Sequence, residues 1–286
     1  NYVSAISRAI DYVEENLTEE LSFEKIAKQA YFSSFTFQRC FSLLCGVSLG
    51  DYIRYRRLSV AAEKIVRERM KVIDAAYLYG YDSPESFTRA FTAFHGATPR
   101  EAKKSGKYKT FSRLFLKLIV SGGNLMDYSI KKLGDFEIIA KRKRFKKQQE
   151  LTTREISAFW AECGKDGTMQ KLIARLPENP QLKGLLGVSF SAEGSGEDFP
   201  YGLAVEDNGA PVPAGLEKIT IPAASYAVFP VRGKMPETFV NTYTRICKEF
   251  FVQSGYEYGN GVEFEVYPSA DTQNPDYYCE IWVAVK

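Results

Sequence analysis

The sequence predicts a multi-domain chain: an all-α N-terminal domain that carries one helical unit twice, then an α+β domain of two pseudo-repeated strand-helix-strand-strand units. Three observations lead there. The first hundred residues contain an internal repeat at an offset of 50, the mark of a duplicated supersecondary unit. At Tyr128 the apolar period changes from helical to alternating. Beyond that point strand-like and helix-like runs recur twice in the same order. The boundaries fall at 1–104, 105–127 (a linker) and 128–286.

With 45% hydrophobic and 26% charged residues, the composition is that of a globular chain and excludes disorder as its main state. The longest apolar run, Leu114 to Val120, is interrupted by Lys117 and falls short of the roughly 18–20 residues that span a bilayer, so no membrane partner is expected. Five widely spaced cysteines form no C-x-x-C pair, and His95 is the one histidine. That set predicts reduced thiols, a cytoplasmic location, and neither a metal site nor a cofactor.

Along the N-terminal part, Val3, Ile6, Ile10 and Val13 make one helical stripe, and Phe23, Ile26, Ala27 and Ala30 begin a second short helix. The repeat follows. Ser33 to Leu49 aligns without gaps to Ser83 to Pro99, with Ser33/Ser83, Phe37/Phe87, Arg39/Arg89, Phe41/Phe91 and Gly46/Gly96 identical. Ser33 and Ser83 sit where an N-cap belongs, and Pro84 follows at the first helical position. Phe37, Phe41 and Leu44, and likewise Phe87, Phe91 and Phe94, form buried stripes. Gly46 and Gly96 suit a left-handed C-terminal residue, and Thr98 with Glu101 reads as a capping box.

Away from the aromatics lie Ser34, Phe35, Gln38, Arg39 and Ser42 in one copy, and Glu85, Ser86, Arg89 and Thr92, with Pro84 at the start, in the other. Gln and Arg on the exposed N-terminal half of a short helix can donate paired hydrogen bonds to base edges. Between the copies, Asp51 to Arg69 is free of Gly and Pro. As a helix it makes a rod of roughly 28 Å, which could hold two such helices near the ~34 Å spacing of successive major-groove faces. The reading is a double helix-turn-helix. L-S-F-E-K-I-A-K-Q-A-Y-F-S-S-F-T-F-Q-R-C-F, D-Y-I-R-Y-R-R-L-S-V-A and G-Y-D-S-P-E-S-F-T-R-A-F-T-A-F-H-G-A-T-P resemble the DNA-binding domain of AraC-family transcription regulators over residues 1–104. Tyr77 and Ala102 depart from the pattern. The resemblance implies that Ser34, Phe35, Gln38, Arg39, Glu85, Ser86 and Arg89 face double-stranded DNA, with RNA polymerase as a further partner.

In the C-terminal part, strands are expected at Tyr128–Leu133, Glu137–Phe145, Leu185–Ser191, Phe199–Glu206, Leu216–Ile221, Ser225–Arg232, Val262–Tyr267 and Tyr277–Val285. Helices are expected at Thr153–Cys163, with a continuation through Met169–Leu176, and at Pro236–Ser254. A groove between the two halves is the natural ligand location. On the last strand Cys279, Ile281, Val283 and Val285 form one face, and Tyr278, Glu280, Trp282 and Ala284 the other. A carboxylate between two large rings suits a cationic or polar aromatic ligand, with Trp160, Tyr201 and Tyr226 as further aromatic candidates. The terminal E-I-W-V-A-V-K resembles the last strand of GyrI-like effector-binding domains, which implies that Glu280 lines a small-molecule effector groove.

Charge is uneven: residues 1–104 carry a net +2, 105–147 a net +9 and 148–286 a net −8. The dense run Lys141 to Lys147 is expected to solvate a strand edge and to matter little for DNA specificity. The sequence therefore predicts a ligand-responsive, non-enzymatic transcription regulator. The alternatives make the C-terminal domain a small-molecule hydrolase, using Glu280 with Tyr201, or a drug-sequestering module.

Overall fold

The computed structural model describes residues 2–32, 34–115, 126–146, 149–190, 198–259 and 261–286; of Phe35, Lys146 and residues 149–153 it describes the backbone alone. Among the described residues seven helices come first: α1 (Tyr2–Glu15), α2 (Phe23–Gln29), α3 (Ser34–Cys45), α4 (Leu49–Val66), α5 (Val72–Leu78), α6 (Pro84–His95) and α7 (Pro99–Ser105). Their ends are set by local chemistry. Ser83 and Ser86 form a reciprocal capping box at α6, with Pro84 beside the cap, and Thr98 and Glu101 form one at α7. Gly46 and Gly96 take the left-handed conformation at φ 71° and 77°, so each repeat copy ends alike. The cap expected at Ser33 lies outside the described residues.

Two separate cores support these helices. Leu58, Ala61, Ala75, Phe87, Phe91 and Ala102 close the second helix-turn-helix on α4. Ala102, in place of an aromatic, is fully buried there, whereas Tyr77 is exposed. The first helix-turn-helix does not close on itself alone. Ile6, Ile10, Phe37 and Phe41 share one core with Phe229, Ile246, Phe250 and Ile281 of the C-terminal part. Tyr2 stacks on Phe251 at 5.6 Å, and Phe32 meets Tyr258 at 4.5 Å. The described part of the expected linker straps over the helical domain. Phe111 N donates to Ser59 Oγ at 2.8 Å, Arg56 Nη1 donates to the Phe111 carbonyl at 2.6 Å, and Lys109 N donates to His95 Nδ1 at 3.1 Å.

The C-terminal part is one eight-stranded antiparallel sheet in the order β1-β6-β8-β7-β3-β4-β2-β5. The strands are β1 (Ser129–Leu133), β2 (Phe136–Lys146), β3 (Leu185–Ser189), β4 (Asp198–Glu206), β5 (Glu217–Ile221), β6 (Ala224–Arg232), β7 (Glu263–Tyr267) and β8 (Tyr278–Val285). The strand-helix-strand-strand unit occurs twice. The first is β2, α8 (Gln149–Lys165) with α9 (Thr168–Ile173), β3 and β4. The second is β6, α10 (Glu237–Arg245), a π-helical turn (Ile246–Phe250), α11 (Phe251–Gln253), β7 and β8. Each unit is preceded by a strand exchanged into the other half: β1 pairs with β6, and β5 with β2. The expected run from α8 into Met169–Leu176 breaks at Gly167, at φ 81°.

Both sets of helices cover the same face of the sheet. The sheet curls the other way, bringing Phe136 on β2 within 6.0 Å of Phe264 on β7 although β3 and β4 lie between them. Its inner face holds Ile138, Leu186, Val188, Tyr226, Phe264 and Trp282. The described part of the basic run, 141–146, lies beyond the reach of β5, which pairs with β2 only up to Ala140, so it pairs with β4 alone and leaves its other side as a strand edge. Its charges are matched there by acidic neighbours: Lys141 with Asp166 at 2.6 Å, Arg142 with Glu217 at 2.7 Å and Arg144 with Asp198 at 2.6 Å.

Candidate ligand groove and nucleic-acid interface

α8 packs on β2 and α10 on β6, and the central strands β3 and β7 lie between them. Alternation on β7 sends Phe264 and Val266 to the inner face, so Glu263, Glu265 and Tyr267 point to the side of the helices. Glu265 Oε2 accepts from the hydroxyls of Tyr201 and Tyr267, each at 3.0 Å. Trp160 Nε1 donates to the Tyr201 oxygen at 3.0 Å, and its ring meets Tyr267 edge-on at 5.3 Å. Glu263 accepts from Tyr243 Oη at 3.1 Å and from Thr36 Oγ1 at 2.8 Å. Gly187 on β3 makes the close approach possible. A Cβ there would land on the Tyr201 hydroxyl and lie 2.7 Å from Glu265 Oε2.

The electrostatics favour a cation. Burial pushes the Glu263 carboxyl above its ordinary range, and the Thr36 hydrogen bond, the Arg39 charge and the Tyr243 hydrogen bond only partly offset it. Burial and the neighbouring Glu265 likewise hold the Tyr201 hydroxyl far above the usual tyrosine value, so it stays a donor. Two carboxylates walled by Trp160, Tyr201, Tyr243 and Tyr267 offer negative charge together with π-faces, the combination that binds a desolvated organic cation.

One cation already stands there, and it belongs to α3. The Arg39 guanidinium lies 3.5 Å from the centroid of the Tyr243 ring and 5.6 Å from that of Phe239. Its Nη1 is 3.9 Å from Glu265 Oε1, with both side chains less than a quarter exposed. Burial alone would lower its pKa, but Tyr243, Glu265 and Glu263 outweigh that and raise it above the arginine norm. Alongside, Cys40 Sγ meets Tyr258 Oη at 3.4 Å.

Residues 129–285, more than half of the chain, match the family described as integron-associated effector binding protein, and residues 26–105 match a helix-turn-helix domain family. The transcriptional activator AarP of Providencia stuartii is 38% identical over 96 residues, which are 34% of this chain and 71% of that protein. The chain belongs to the AraC family of transcription regulators. Its C-terminal part is an effector-binding domain of the integron-associated family. The uncharacterized regulator YbfP of Bacillus subtilis is 36% identical over 114 residues, 40% of this chain, but the match spans only 37% of YbfP. The solved structure of SAV2435 bound to tetraphenylphosphonium aligns over 56% of this chain and 94% of that one, with a TM-score of 0.50 at 22% identity, a likeness of fold.

Within this AraC-family chain the expected site residues divide. Trp160 and Tyr201 stand in the groove. Glu280, Tyr278, Trp282 and Tyr226 do not, because β8 and β6 turn them to the inner face of the sheet. Glu280 accepts from Tyr278 Oη at 2.5 Å and from Trp282 Nε1 at 2.7 Å. Trp282 and Tyr226 are buried in the inner core, their rings 5.9 Å apart. The helices cover the Cys279, Ile281 and Val283 face instead, which leaves Glu280 and Tyr201 on opposite sides of the sheet and removes the acid–base pair of the hydrolase reading. The groove residues not anticipated are Glu263, Glu265, Tyr267, Tyr243 and Phe239. E-F-E-V-Y on β7 carries the same acidic-aromatic alternation that singled out β8.

The two helices expected to read DNA divide too. On α6, Glu85 and Arg89 are exposed, while the half-buried Ser86 hydroxyl serves the capping box. On α3 the expected exposed face is covered, because the C-terminal domain packs on it. Ser34 and Gln38 are 6% and 7% exposed and bond to each other at 3.3 Å, and Arg39 turns into the groove. The Phe35 side chain lies outside the described residues.

Proposed function

We propose that this AraC-family chain is a cytoplasmic, ligand-responsive regulator that binds double-stranded DNA with two recognition helices. In this reading a flat or bulky cationic aromatic molecule is sensed in the α8–α10 groove. The observation that carries it is the pair Glu263 and Glu265 on one strand face, enclosed by Trp160, Tyr201, Tyr243 and Tyr267. Buried carboxylates without a full complement of donors favour an arriving cation, and aromatic walls add cation–π contacts. The fold likeness to SAV2435, which is bound to tetraphenylphosphonium, supports this ligand class. Glu85, Ser86 and Arg89 on α6, and Ser34, Phe35, Gln38 and Arg39 on α3, are the proposed DNA contacts, and RNA polymerase is the proposed partner at a promoter.

The test is calorimetric titration of the full chain with tetraphenylphosphonium and with its anionic isostere tetraphenylborate. The two share shape and apolar area and differ in sign of charge. Binding of the cation with little or none of the anion is expected. Preference for the anion would refute the groove reading.

A further inference from the structure

The contact between α3 and the groove joins the two halves of the proposed function at one side chain. Arg39 is a proposed base-reading residue, the repeat counterpart of the exposed Arg89 on α6. The same guanidinium stacks on Tyr243 at 3.5 Å and faces Glu265 at 3.9 Å. One turn earlier on the helix, Thr36 donates to Glu263 at 2.8 Å. Two side chains of one recognition helix therefore engage both carboxylates of the groove. The apolar contacts of Phe32 with Tyr258 and Tyr2 with Phe251 hold the surrounding helices on the C-terminal domain. Ser34 and Gln38 are buried against each other and Arg39 is turned into the groove, so these three are not presented to a base edge.

We infer that Arg39 acts as a built-in stand-in for the ligand, so that docking of α3 and occupancy of the groove by an organic cation exclude each other. This rests on the groove reading and adds its regulation. In the docked state α6 is open and α3 is closed, and the chain presents half of its DNA-binding surface. A cation that takes the place of the guanidinium removes the polar contacts holding α3 and shifts the population towards a state in which both helices are free. A ligand shifts such an equilibrium only by its differential affinity for the two states. Here the difference is built in, because the docked state has its cation site filled. Linkage is reciprocal, so DNA that engages α3 raises cation affinity by the same factor.

Full-length wild type, Arg39→Ala and Thr36→Val are titrated with tetraphenylphosphonium, and amide hydrogen exchange of α3 and α6 is followed with and without it. If the docked state holds about nine-tenths of the molecules, apparent affinity is reduced about tenfold. Arg39→Ala is then expected to bind the cation about tenfold more tightly than wild type. Thr36→Val, which leaves Arg39 in place but removes its companion bond, should tighten binding by a smaller factor. Exchange across 34–45 should accelerate when the cation is added, while exchange across 84–95 should not change. Wild-type binding with equal or weaker affinity in both variants, or unchanged exchange in α3, would overturn the stand-in role and leave the groove reading intact. Absence of binding to all three proteins would sink the groove reading and this inference with it. A far-ultraviolet melt of each variant guards against unfolding, and should Arg39→Ala melt early, Thr36→Val with the exchange data decides.

Discussion

Replacing Glu265 by Gln is the sharpest perturbation of the groove, because it removes one charge and keeps the shape. The carboxylate lies 3.9 Å from the guanidinium that marks the cation position. Two unit charges at that separation interact by about 4 kcal/mol at an effective dielectric constant near 20. The side chain retains about a fifth of its exposure, so solvent reduces that figure, and about 2–4 kcal/mol is the expected loss for a cationic ligand. That corresponds to a roughly 30- to 1,000-fold weaker Kd, at ~1.4 kcal/mol per decade. Arg39 loses the same attraction, which makes it easier to displace and masks part of the effect. The clean measurement compares Arg39→Ala with Arg39→Ala/Glu265→Gln by calorimetry with tetraphenylphosphonium. The hydroxyls of Tyr201 and Tyr267, which donate to Glu265 at 3.0 Å, can donate to the amide oxygen of Gln, so the fold should survive. An unchanged Kd in the double variant would refute the assignment of Glu265 as the cation partner. Loss of binding to tetraphenylphosphonium and tetraphenylborate alike would instead mean that the substitution collapsed the cleft.

The other predictions follow from separate parts of the molecule. Gly187→Ala forces a methyl group onto the Tyr201 hydroxyl and to 2.7 Å from Glu265, so it should cost about 1–3 kcal/mol in a denaturant melt and abolish cation binding. Arg89→Ala, on the exposed face of α6, should weaken binding to DNA fragments selected in vitro by about 1–3 kcal/mol and relax their specificity. Arg142→Ala, paired with Glu217, should leave that selection unchanged. Glu14 is nearly buried against Arg56 at 2.8 Å and accepts from Tyr52 at 2.6 Å. Burial pushes its pKa up, but the bonds from Arg56 and Tyr52 outweigh it and leave a net lowering. A lowered folded-state pKa contributes stability that is present above the unfolded value, about 4.3, and is lost as pH falls through the folded one. Glu14→Gln should therefore cost about 3–5 kcal/mol near neutral pH and flatten the acid limb of thermal stability below pH 4.

The helical half was legible in the sequence because its signals are local. Caps, left-handed glycines and i, i+4 aromatic stripes act within about one turn of chain, so the repeat at offset 50 carried both helix-turn-helix units at once, and Ser83-Pro84 and Thr98-Glu101 mark their ends to the residue. All eight strands were likewise readable, since alternation needs only neighbouring residues. The period of two states which side chains share a face, but not which face the helices will cover. On β8 the Tyr278–Glu280–Trp282 face, expected as the ligand surface, turns to the inner side of the sheet, where Trp282 is buried and Tyr278 and Glu280 are half-buried. On β7 the Glu263–Glu265–Tyr267 face, written with the same kind of alternation, lines the groove. That choice is made by the crossover of α8 and α10 over one side of the sheet. It brings Trp160, Tyr201, Tyr243 and Glu265 together from four separate elements. Arg39 shows the same limit from the other side. An amphipathic helix announces the face it turns from its own domain, and the polar face of α3 did turn outward from the helical core. What lies beyond that face is decided by the acidic groove of a second domain some 200 residues further along the chain, and chain contacts of that range leave no local trace.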